Sequence, residues 1–263
     1  MFAPDSTAAT STLLQNLPQV VTAIGGLGTA AFGLLDASKS IMPWINQIGF
    51  PRVKELIASL TPAETKLNAA GQAVQTGPPP NALPQQGVLN TLLANWVNGT
   101  DIAAQKSIAK SLIKLHLSEG NAAELAAKTN VDPALLQSVA AKIVAGTALA
   151  QTESDAYSRF DVIVTALLDE AYQHADQVYR NWTRVLAGAI AVVLAVIAGA
   201  TLFPQTSAAK IGSDSELWSL YLQSKYVWQA LLVGLLATPL APIAKDISSA
   251  LATAVNTMQA IRK

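Results

Sequence analysis

"YRNWTRVLAGAIAVVLAVIAGATLFP", residues 179–204, decides the fold, because it joins a charged and aromatic segment directly to an uncharged apolar one. Residues 185–203 contain no charged side chain over 19 positions. A transmembrane α-helix needs about 20 mostly apolar residues to cross the hydrocarbon core of a bilayer. We therefore predict a transmembrane helix over residues 185–203.

The composition agrees with a membrane protein. Half of the chain is hydrophobic (51%) and only 13% is charged, which is about half the usual charged share. The formal net charge is zero, so we expect no nucleic-acid partner. The absence of cysteine excludes disulfides, thiol nucleophiles and thiolate metal sites, and only two histidines are present as imidazole ligands. We expect no cofactor.

Two further segments are candidate spans. Residues 226–243, "YVWQALLVGLLATPLAPI", open with an aromatic pair and close with two prolines. Residues 17–35, "LPQVVTAIGGLGTAAFGLL", are apolar but carry polar residues and four glycines. We interpret both as transmembrane helices. For residues 17–35, a buried soluble helix or a re-entrant segment is the alternative.

The distribution of lysine and arginine predicts the orientation. Cytoplasmic flanks of membrane helices are enriched in these residues. By this rule, residues 1–16 and the loop 204–225 lie outside, and residues 36–182 and 244–263 lie in the cytoplasm. The residues predicted to mark the membrane boundaries are Trp182, Arg184, Tyr226, Trp228 and Lys245.

The region between the first two spans has a helical periodicity throughout, with no alternating strand pattern. Residues 36–75 are interpreted as interfacial and cytoplasmic helices. Residues 76–87, "TGPPPNALPQQG", are interpreted as a proline-rich linker. Residues 88–182 are predicted to form a cytoplasmic helical domain. Its first helices are predicted over 88–97, 101–118, 122–128 and 133–145, with Thr100 or Asp101 capping the second and Asp132-Pro133 starting the fourth.

One long helix is predicted from about residue 152 to residue 203, because this range contains no proline and no glycine before Gly188. Its first half carries one apolar stripe at helical spacing: Tyr157, Phe160, Val164, Leu168, Ala171, Ala175, Val178 and Trp182. The tail, residues 244–263, carries a second stripe and is predicted to be an amphipathic helix. We expect the two stripes to pack together or across a subunit interface.

Small residues recur at every fourth position in two of the spans. The positions are Ala187, Ala191, Ala195 and Gly199 in the second span, and Gly25, Thr29 and Gly33 in the first. Such faces let helix backbones approach closely in lipid. We predict that these residues form helix-packing interfaces, either within one chain or between subunits.

Two motifs near the last two spans resemble an uncharacterised group of bacterial integral membrane proteins. They are "LLDEAYQHADQVYRNWTR" before the second span and "APIAKD" after the third. The matching residues are Asp169, Glu170, Ala171, Tyr179 and Arg180 in the first motif, and Ala241, Pro242 and Asp246 in the second. The chain lacks a strong basic run and the aromatic residues after Pro242. The resemblance implies a bacterial inner-membrane location and a hairpin of the last two spans, but no activity.

Candidate chemistry is sparse. Glu170 and His174 stand four residues apart, which suits either a metal site or a helix-surface ion pair. His116 lies near a predicted helix end, where a capping or dipole role is the alternative to chemistry. Residues 122–143 have a helix-turn-helix pattern, but the second helix offers only Lys142 as a basic residue for DNA. The common nucleotide, hydrolase and zinc-protease motifs are missing, so we do not expect an enzyme.

Two classes of function fit the sequence. The first is an all-α integral membrane scaffold that assembles with copies of itself or anchors an unrelated protein partner, with membrane lipid as its surroundings. The second is an oligomeric channel or transport component. A channel needs polar or ionisable positions in its lining helices. The second span offers only Thr201 and the third only Gln229 and Thr238, so the sequence favours the scaffold.

Overall fold

The computed structural model has an all-α fold and describes residues 6–67, 73–79, 82–206 and 214–261. The chain forms two compact units. We call residues 1–42 and 181–263 the span unit, and residues 43–180 the helical domain.

The span unit contains α1 (Ser6–Ile41), the C-terminal part of α8 (Gln151–Thr206), α9 (Asp214–Gln223) and α10 (Lys225–Ile261). Among the described residues, three helical segments are long and apolar enough to cross a membrane: Gln19–Ile41, Gln151–Phe203 and Lys225–Ala244. The prediction of three membrane-spanning helices is confirmed at this level of length and composition.

Helix α8 is one continuous α-helix of 56 residues, which corresponds to about 84 Å at 1.5 Å per residue. The first proline after Gln151 is Pro204, in the last turn of the helix. Uninterrupted backbone hydrogen bonding is therefore sterically permitted from the start of α8 to the end of the apolar segment. The predicted long helix over residues 152–203 is confirmed.

Helix α10 contains Pro239 and Pro242 in its interior, and it continues past both to Ile261. The sequence predicts that these prolines close the third span, and the apolar segment does end at Ala244, but the helix itself continues. Proline removes one intrahelical hydrogen bond, but a membrane helix tolerates the loss where neighbouring helices support the backbone. The third span and the tail are thus one helix. The predicted tail stripe begins at Ile243, which is 49% exposed, and the side chains of its other members lie outside the described residues.

The helical domain contains α2 (Pro43–Asn46), α3 (Phe50–Leu60), β1 (Glu64–Leu67), β2 (Ala73–Gly77), α4 (Gln85–Val97), α5 (Ile102–Leu115), α6 (Ala122–Thr129), α7 (Pro133–Ala145) and the first part of α8. This compact unit runs from residue 43 to residue 180, so it includes residues 76–87, the segment predicted to be a linker.

The predicted apolar stripe of α8 supplies one wall of the core of this domain. Phe160, Val164 and Leu168 are buried in the same cluster as side chains of α3, α4, α5, α6 and α7. Gly49 lets the chain approach α8 closely, since its φ is +92° and a Cβ would collide with the carbonyl of Ala175. The helices of the domain therefore provide a partner for the stripe.

The predicted caps are present. Asp101 caps α5 by accepting hydrogen bonds from the backbone N–H groups of Ala103 (2.9 Å) and Ala104 (3.3 Å). Asp132 caps α7 and is followed by Pro133 in the first turn. Asn130 adopts the left-handed conformation (φ 50°) at the end of α6, so α6 and α7 form the predicted helix-turn-helix.

Strands β1 and β2 pair antiparallel, with Thr65 opposite Gln75 and Leu67 opposite Ala73. The prediction that residues 36–75 contain only helices was wrong at this hairpin. The strands have four and five residues, so they are too short for a period-two pattern to stand out from a helical window.

Candidate functional site

Three alanines meet at the centre of the span unit. Ala31 of α1, Ala191 of α8 and Ala237 of α10 are buried in one cluster, which we call the small-residue core. Isoleucine and leucine side chains from α1 and α8 pack around it. Small side chains at a crossing point let helix backbones come close together, which is how helices associate in lipid.

Helices α8 and α10 run antiparallel through this core. A Cβ on Gly188 would lie 3.6 Å from the hydroxyl oxygen of Thr238, and a Cβ on Gly234 would lie 2.5 Å from the Cα of Val192. Real Cβ atoms essentially never come as close to a backbone atom as the second of these distances. Any residue larger than glycine at position 234 would therefore force the two helices apart.

Helix α1 contacts α10 through two glycines. Gly25 lies against Ala244 and Gly28 lies against Ala237, and a Cβ at either glycine would collide with α10. The residue numbers of the contact positions rise along α1 and fall along α10, so the two helices run in opposite directions at this contact. The predicted topology takes both helices across the membrane in the same direction. The packing of α1 disagrees with that part of the prediction.

The other residues of the predicted face on α1 lie outside this contact. Thr29 is exposed, and its hydroxyl donates to the carbonyl of Gly25 at 3.1 Å. Gly33 is also exposed, and among the described residues nothing beyond its chain neighbours and its own helix backbone lies within 4 Å of where its Cβ would stand. The contact follows the spacing of Gly25, Gly28 and Ala31, every third residue, rather than the predicted spacing of four.

The predicted face on α8 lies largely inside the span unit. Ala187 and Ala191 are fully buried, and Ala195 is nearly so. Gly199 lies against the ring and hydroxyl of Tyr221 and against Ala230. These four positions therefore contact other parts of the same chain.

Aromatic rings pack together in the span unit where α8 ends and α10 begins. The ring of Phe203 lies 5.7 Å from that of Tyr221 and 5.9 Å from that of Tyr226, centroid to centroid, both edge to face. Such pairs stabilise a contact beyond the area that they bury. Tyr221 thereby holds α9 against the C-terminal end of α8.

The predicted boundary residues are mostly exposed. Trp182 and Trp228 are 52% and 69% exposed, and Arg184 is exposed as well. Tyr226 is half-buried against Phe203, and the side chain of Lys245 lies outside the described residues. Exposed tryptophans at the ends of apolar helices are typical of membrane interfaces.

In the helical domain, ion pairs join α5 to α8. Lys106 Nζ lies 2.5 Å from Asp169 Oδ1, and Lys110 and Lys114 lie 2.6 and 2.8 Å from the two carboxylate oxygens of Asp161. Burial alone would raise the pKa of Asp161, but the hydrogen bonds from both lysines outweigh it and hold that pKa below its usual value. The hydrogen bond with Asp161 raises the pKa of Lys114. These pairs fix the register of α5 on α8.

An aromatic cluster joins α3, α4 and α8. Trp96 packs on Phe50, Tyr172 and Tyr179, with ring centroids 6.2 to 6.4 Å apart, and its indole N–H donates to the carbonyl of Asn46 at 2.9 Å. Burial raises the pKa of Tyr172 to about 12. The phenol is therefore neutral at physiological pH.

Glu170 and His174, the candidate metal ligands, do not form a common site. Glu170 Oε1 accepts a hydrogen bond from Arg52 at 3.4 Å, and His174 is exposed. Within the described parts of the chain, no group of three or more His, Asp or Glu side chains could hold a metal ion.

In the helix-turn-helix, Lys142 forms an ion pair with Glu153 at 2.6 Å, so the basic residue of α7 is engaged within the domain.

His116 ends α5 as its C-cap residue. Its Nε2 lies 2.6 Å from the carbonyl oxygen of Leu83. Burial lowers the pKa of His116, and the bond to Leu83 opposes this effect only in part. The side chain is thus a neutral imidazole that holds the segment before α4.

No protein-family model, curated protein or solved structure matches this chain. The resemblance to bacterial membrane proteins therefore stays a prediction. The geometry described above is the basis for any functional assignment.

The small residues that α10 contributes to the span contacts were not predicted from the sequence. Gly234, Ala237, Ala241 and Ala244 of α10 are small residues at helical spacing, the same signal that identifies the faces of the other two spans. The prolines between them favoured a helix end instead. Gly28 was missed because a spacing of four selects its neighbour Thr29.

Proposed function

We propose that this protein is a membrane-anchored scaffold, in which the spans hold a helical domain that binds further copies of the chain or a protein partner. The observation that carries the proposal is the closed small-residue core. Ala31, Ala191 and Ala237 fill the centre of the span unit with apolar atoms.

A filled core favours an anchor over a channel within one copy of the chain. Conduction needs a lining of polar groups, charged rings or a hydrophobic constriction wide enough to become wet. At Gly234 the backbones of α8 and α10 are too close to admit one extra carbon atom. At this crossing point the two helices therefore leave no room between them for a file of water or ions.

The second candidate is an oligomeric channel or transport component, with its path between copies. One observation favours it. The hydroxyl of Thr238 is buried, has no hydrogen-bond partner among the described residues, and lies close to Pro239 and Pro242 of the same helix. Polar groups and broken helical hydrogen bonds in spans often mark a transport site.

We further propose a location in a bacterial inner membrane, with α8 and α10 crossing it as a hairpin. The loop 204–225 faces the exterior, and the helical domain and the carboxyl terminus face the cytoplasm. Arg180, Arg184 and Lys245 flank the cytoplasmic ends of this hairpin, as the positive-inside rule requires.

The test is the mass of the native complex in mild detergent, followed by reconstitution of the same sample into vesicles for conductance. A scaffold gives a defined homo-oligomer or a stoichiometric complex with an unrelated protein, and no conductance above that of empty vesicles. Reproducible conductance from the purified oligomer would overturn the scaffold and support the channel. A strict monomer without partner or conductance would contradict both.

A further inference from the structure

A groove of about 430 Å³ lies in the span unit between α8 and the first turns of α10, and we call it the span groove. Its floor is apolar and buried, with Ala195, Phe203 and Ala230 only 5%, 7% and 9% exposed. Its edges are open, because Leu202 is 56% exposed and Gln229 is exposed as well. Pockets for small molecules usually measure about 300–1,000 Å³. The span groove is therefore large enough for part of a ligand that approaches from outside the span unit.

The span groove begins at the end of the apolar segments and runs along them. Phe203 is the last residue of the apolar segment of α8, and Tyr226 is the second residue of that of α10. Val233 lines the groove seven residues further along α10, which corresponds to about 10 Å at 1.5 Å per residue. In a bilayer this part of the groove lies in hydrocarbon, so lipid acyl chains surround it.

Gln229 places an amide beside this apolar floor. Its side chain forms no hydrogen bond with another described residue. An amide without a partner is costly in hydrocarbon, where no water can satisfy it. The ester carbonyls of a glycerophospholipid lie where the acyl chains begin, and they accept hydrogen bonds. They therefore match the N–H groups of Gln229.

Lys225 supplies a positive charge one helical turn nearer the boundary than Gln229. Its Nζ lies 5.7 Å from the ring centroid of Tyr226, which lines the groove. The side chain is exposed and forms no ion pair with another described residue. Lys225 is also the first residue of α10, where the helix dipole favours an anion. The groove therefore has its positive charge at the end where a lipid headgroup would lie.

We infer that the span groove binds one anionic glycerophospholipid of the surrounding bilayer. The phosphate pairs with Lys225, an ester carbonyl accepts from Gln229, and one acyl chain fills the apolar floor as far as Val233. Phosphate, ester and chain follow one another along the lipid in the same order as these residues along α10. The inference rests on the proposed crossing of a bilayer by α8 and α10, and it holds for a scaffold and for a channel alike.

The experiment titrates the full chain in mild detergent with two phospholipids that have identical acyl chains, phosphatidylglycerol and phosphatidylcholine. Native mass spectrometry counts the lipids retained by each chain. We expect one phosphatidylglycerol per chain, bound roughly fivefold more tightly than phosphatidylcholine, which is the usual effect of one lysine on an anionic lipid. Glycerol 3-phosphate carries the phosphate without acyl chains and should not displace the lipid.

Lys225→Gln should remove the preference, so that phosphatidylglycerol binds only as tightly as phosphatidylcholine. The matched control is Arg184→Gln, which removes one exposed positive charge at the other end of the apolar segment of α8 and should retain lipid like the parent chain. Gln229→Leu removes the amide and should weaken both lipids equally, while the preference for phosphatidylglycerol remains.

Ala198→Phe fills the groove from an exposed lining position and should weaken both lipids by at least roughly tenfold. Ala189→Phe is the matched control, because Ala189 is an exposed alanine of the same helix that does not line the groove. It should bind both lipids like the parent chain. Thermal unfolding shows whether each variant is folded.

Equal retention of the two lipids by the parent chain would overturn the assignment of an anionic lipid, and displacement by glycerol 3-phosphate would show a site for free phosphate instead. If Arg184→Gln or Ala189→Phe loses as much lipid as its counterpart, the lipid is not bound in the groove. If Ala198→Phe dissociates an oligomer and releases no lipid, the groove is a contact between copies. Each outcome concerns lipid retention, whereas reporter fusions test the crossing of the bilayer, and the mass of the complex and its conductance test the proposed function.

Discussion

Glu153 holds the start of α8 to the end of α7. Its carboxylate accepts hydrogen bonds from Lys142 (2.6 Å), from the hydroxyl of Ser138 (2.6 Å) and from the backbone N–H of Ala150 (2.7 Å). The bond to Ala150 is the backward bond of a capping box, in which a glutamate in the first turn satisfies the residue before the helix. The bonds from Lys142, Ser138 and Ala150, in that order, lower the pKa of Glu153 from 4.5 to about 2.

We expect Glu153→Gln to lower the melting temperature of the full chain at pH 7, because Lys142 loses its charged partner. The folded pKa lies below the unfolded one, so the stabilisation by the carboxylate is present above pH 4.5 and is lost as pH falls toward about 2. The difference between parent and variant should therefore shrink across this window. Circular dichroism melts at several pH values measure it.

Asp155→Asn is the matched control, since Asp155 is exposed in the same turn and contacts only Gln151 among the described hydrogen bonds. It should melt close to the parent at every pH. A pH-independent loss in Glu153→Gln would contradict the role of the charge.

At the scale of elements, α1 contains two glycines in contrasting surroundings. A Cβ on Gly28 would collide with the carbonyl of Ala237, whereas a Cβ on Gly26 would meet nothing within 4 Å among the described residues beyond its chain neighbours and its own helix backbone. The first glycine is required by packing and the second is not. Alanine substitutions at these two positions therefore distinguish the effect of helix packing from the effect of helix propensity.

Gly28→Ala should destabilise the span unit by about 1–3 kcal/mol, the usual cost of overpacking. Gly26→Ala should be neutral or stabilising by up to about 1 kcal/mol, because alanine is the better helix former. Reversible unfolding in mixed micelles gives both values. If both variants lose stability equally, α1 does not pack on α10 through Gly28.

Prediction from sequence succeeded where one strong local signal decided the structure. The continuous α8 followed from the absence of proline before Pro204, and Asp101 and Asp132 cap helices as their side chains require. It failed where the outcome depended on a distant partner. The contact of Gly28 with Ala237 joins positions more than 200 residues apart, and no local pattern selects that pairing.

At the scale of the whole molecule, the polar helical domain and the span unit are separate compact units. A cavity in the helical domain, lined by His116, Gln85 and Glu124, shows the same limit of sequence reasoning as the span contacts. His116, Gln85 and Glu124 come from three different helices or their ends, and each residue on its own has an ordinary explanation. Only the fold brings these three residues to one cavity.

Reporter fusions test the proposed path through the membrane. A reporter at Gly77 should read the cytoplasm and one at Gly212 the exterior, because lysines and arginines flank the hairpin on the cytoplasmic side. The opposite readings would reject this orientation. A third reporter at the amino terminus reads the exterior if α1 crosses as the charges predict, and the cytoplasm if α1 follows the direction of its contact with α10.

The small-residue core also has an entropic consequence. Alanine has no side-chain rotamers to lose, so bringing Ala31, Ala191 and Ala237 together freezes no χ angles. Within lipid the hydrophobic effect does not drive helices together, and the attraction comes from many weak contacts between closely spaced backbones. A core of alanine and glycine obtains these contacts without the ordering cost that leucine or methionine would add.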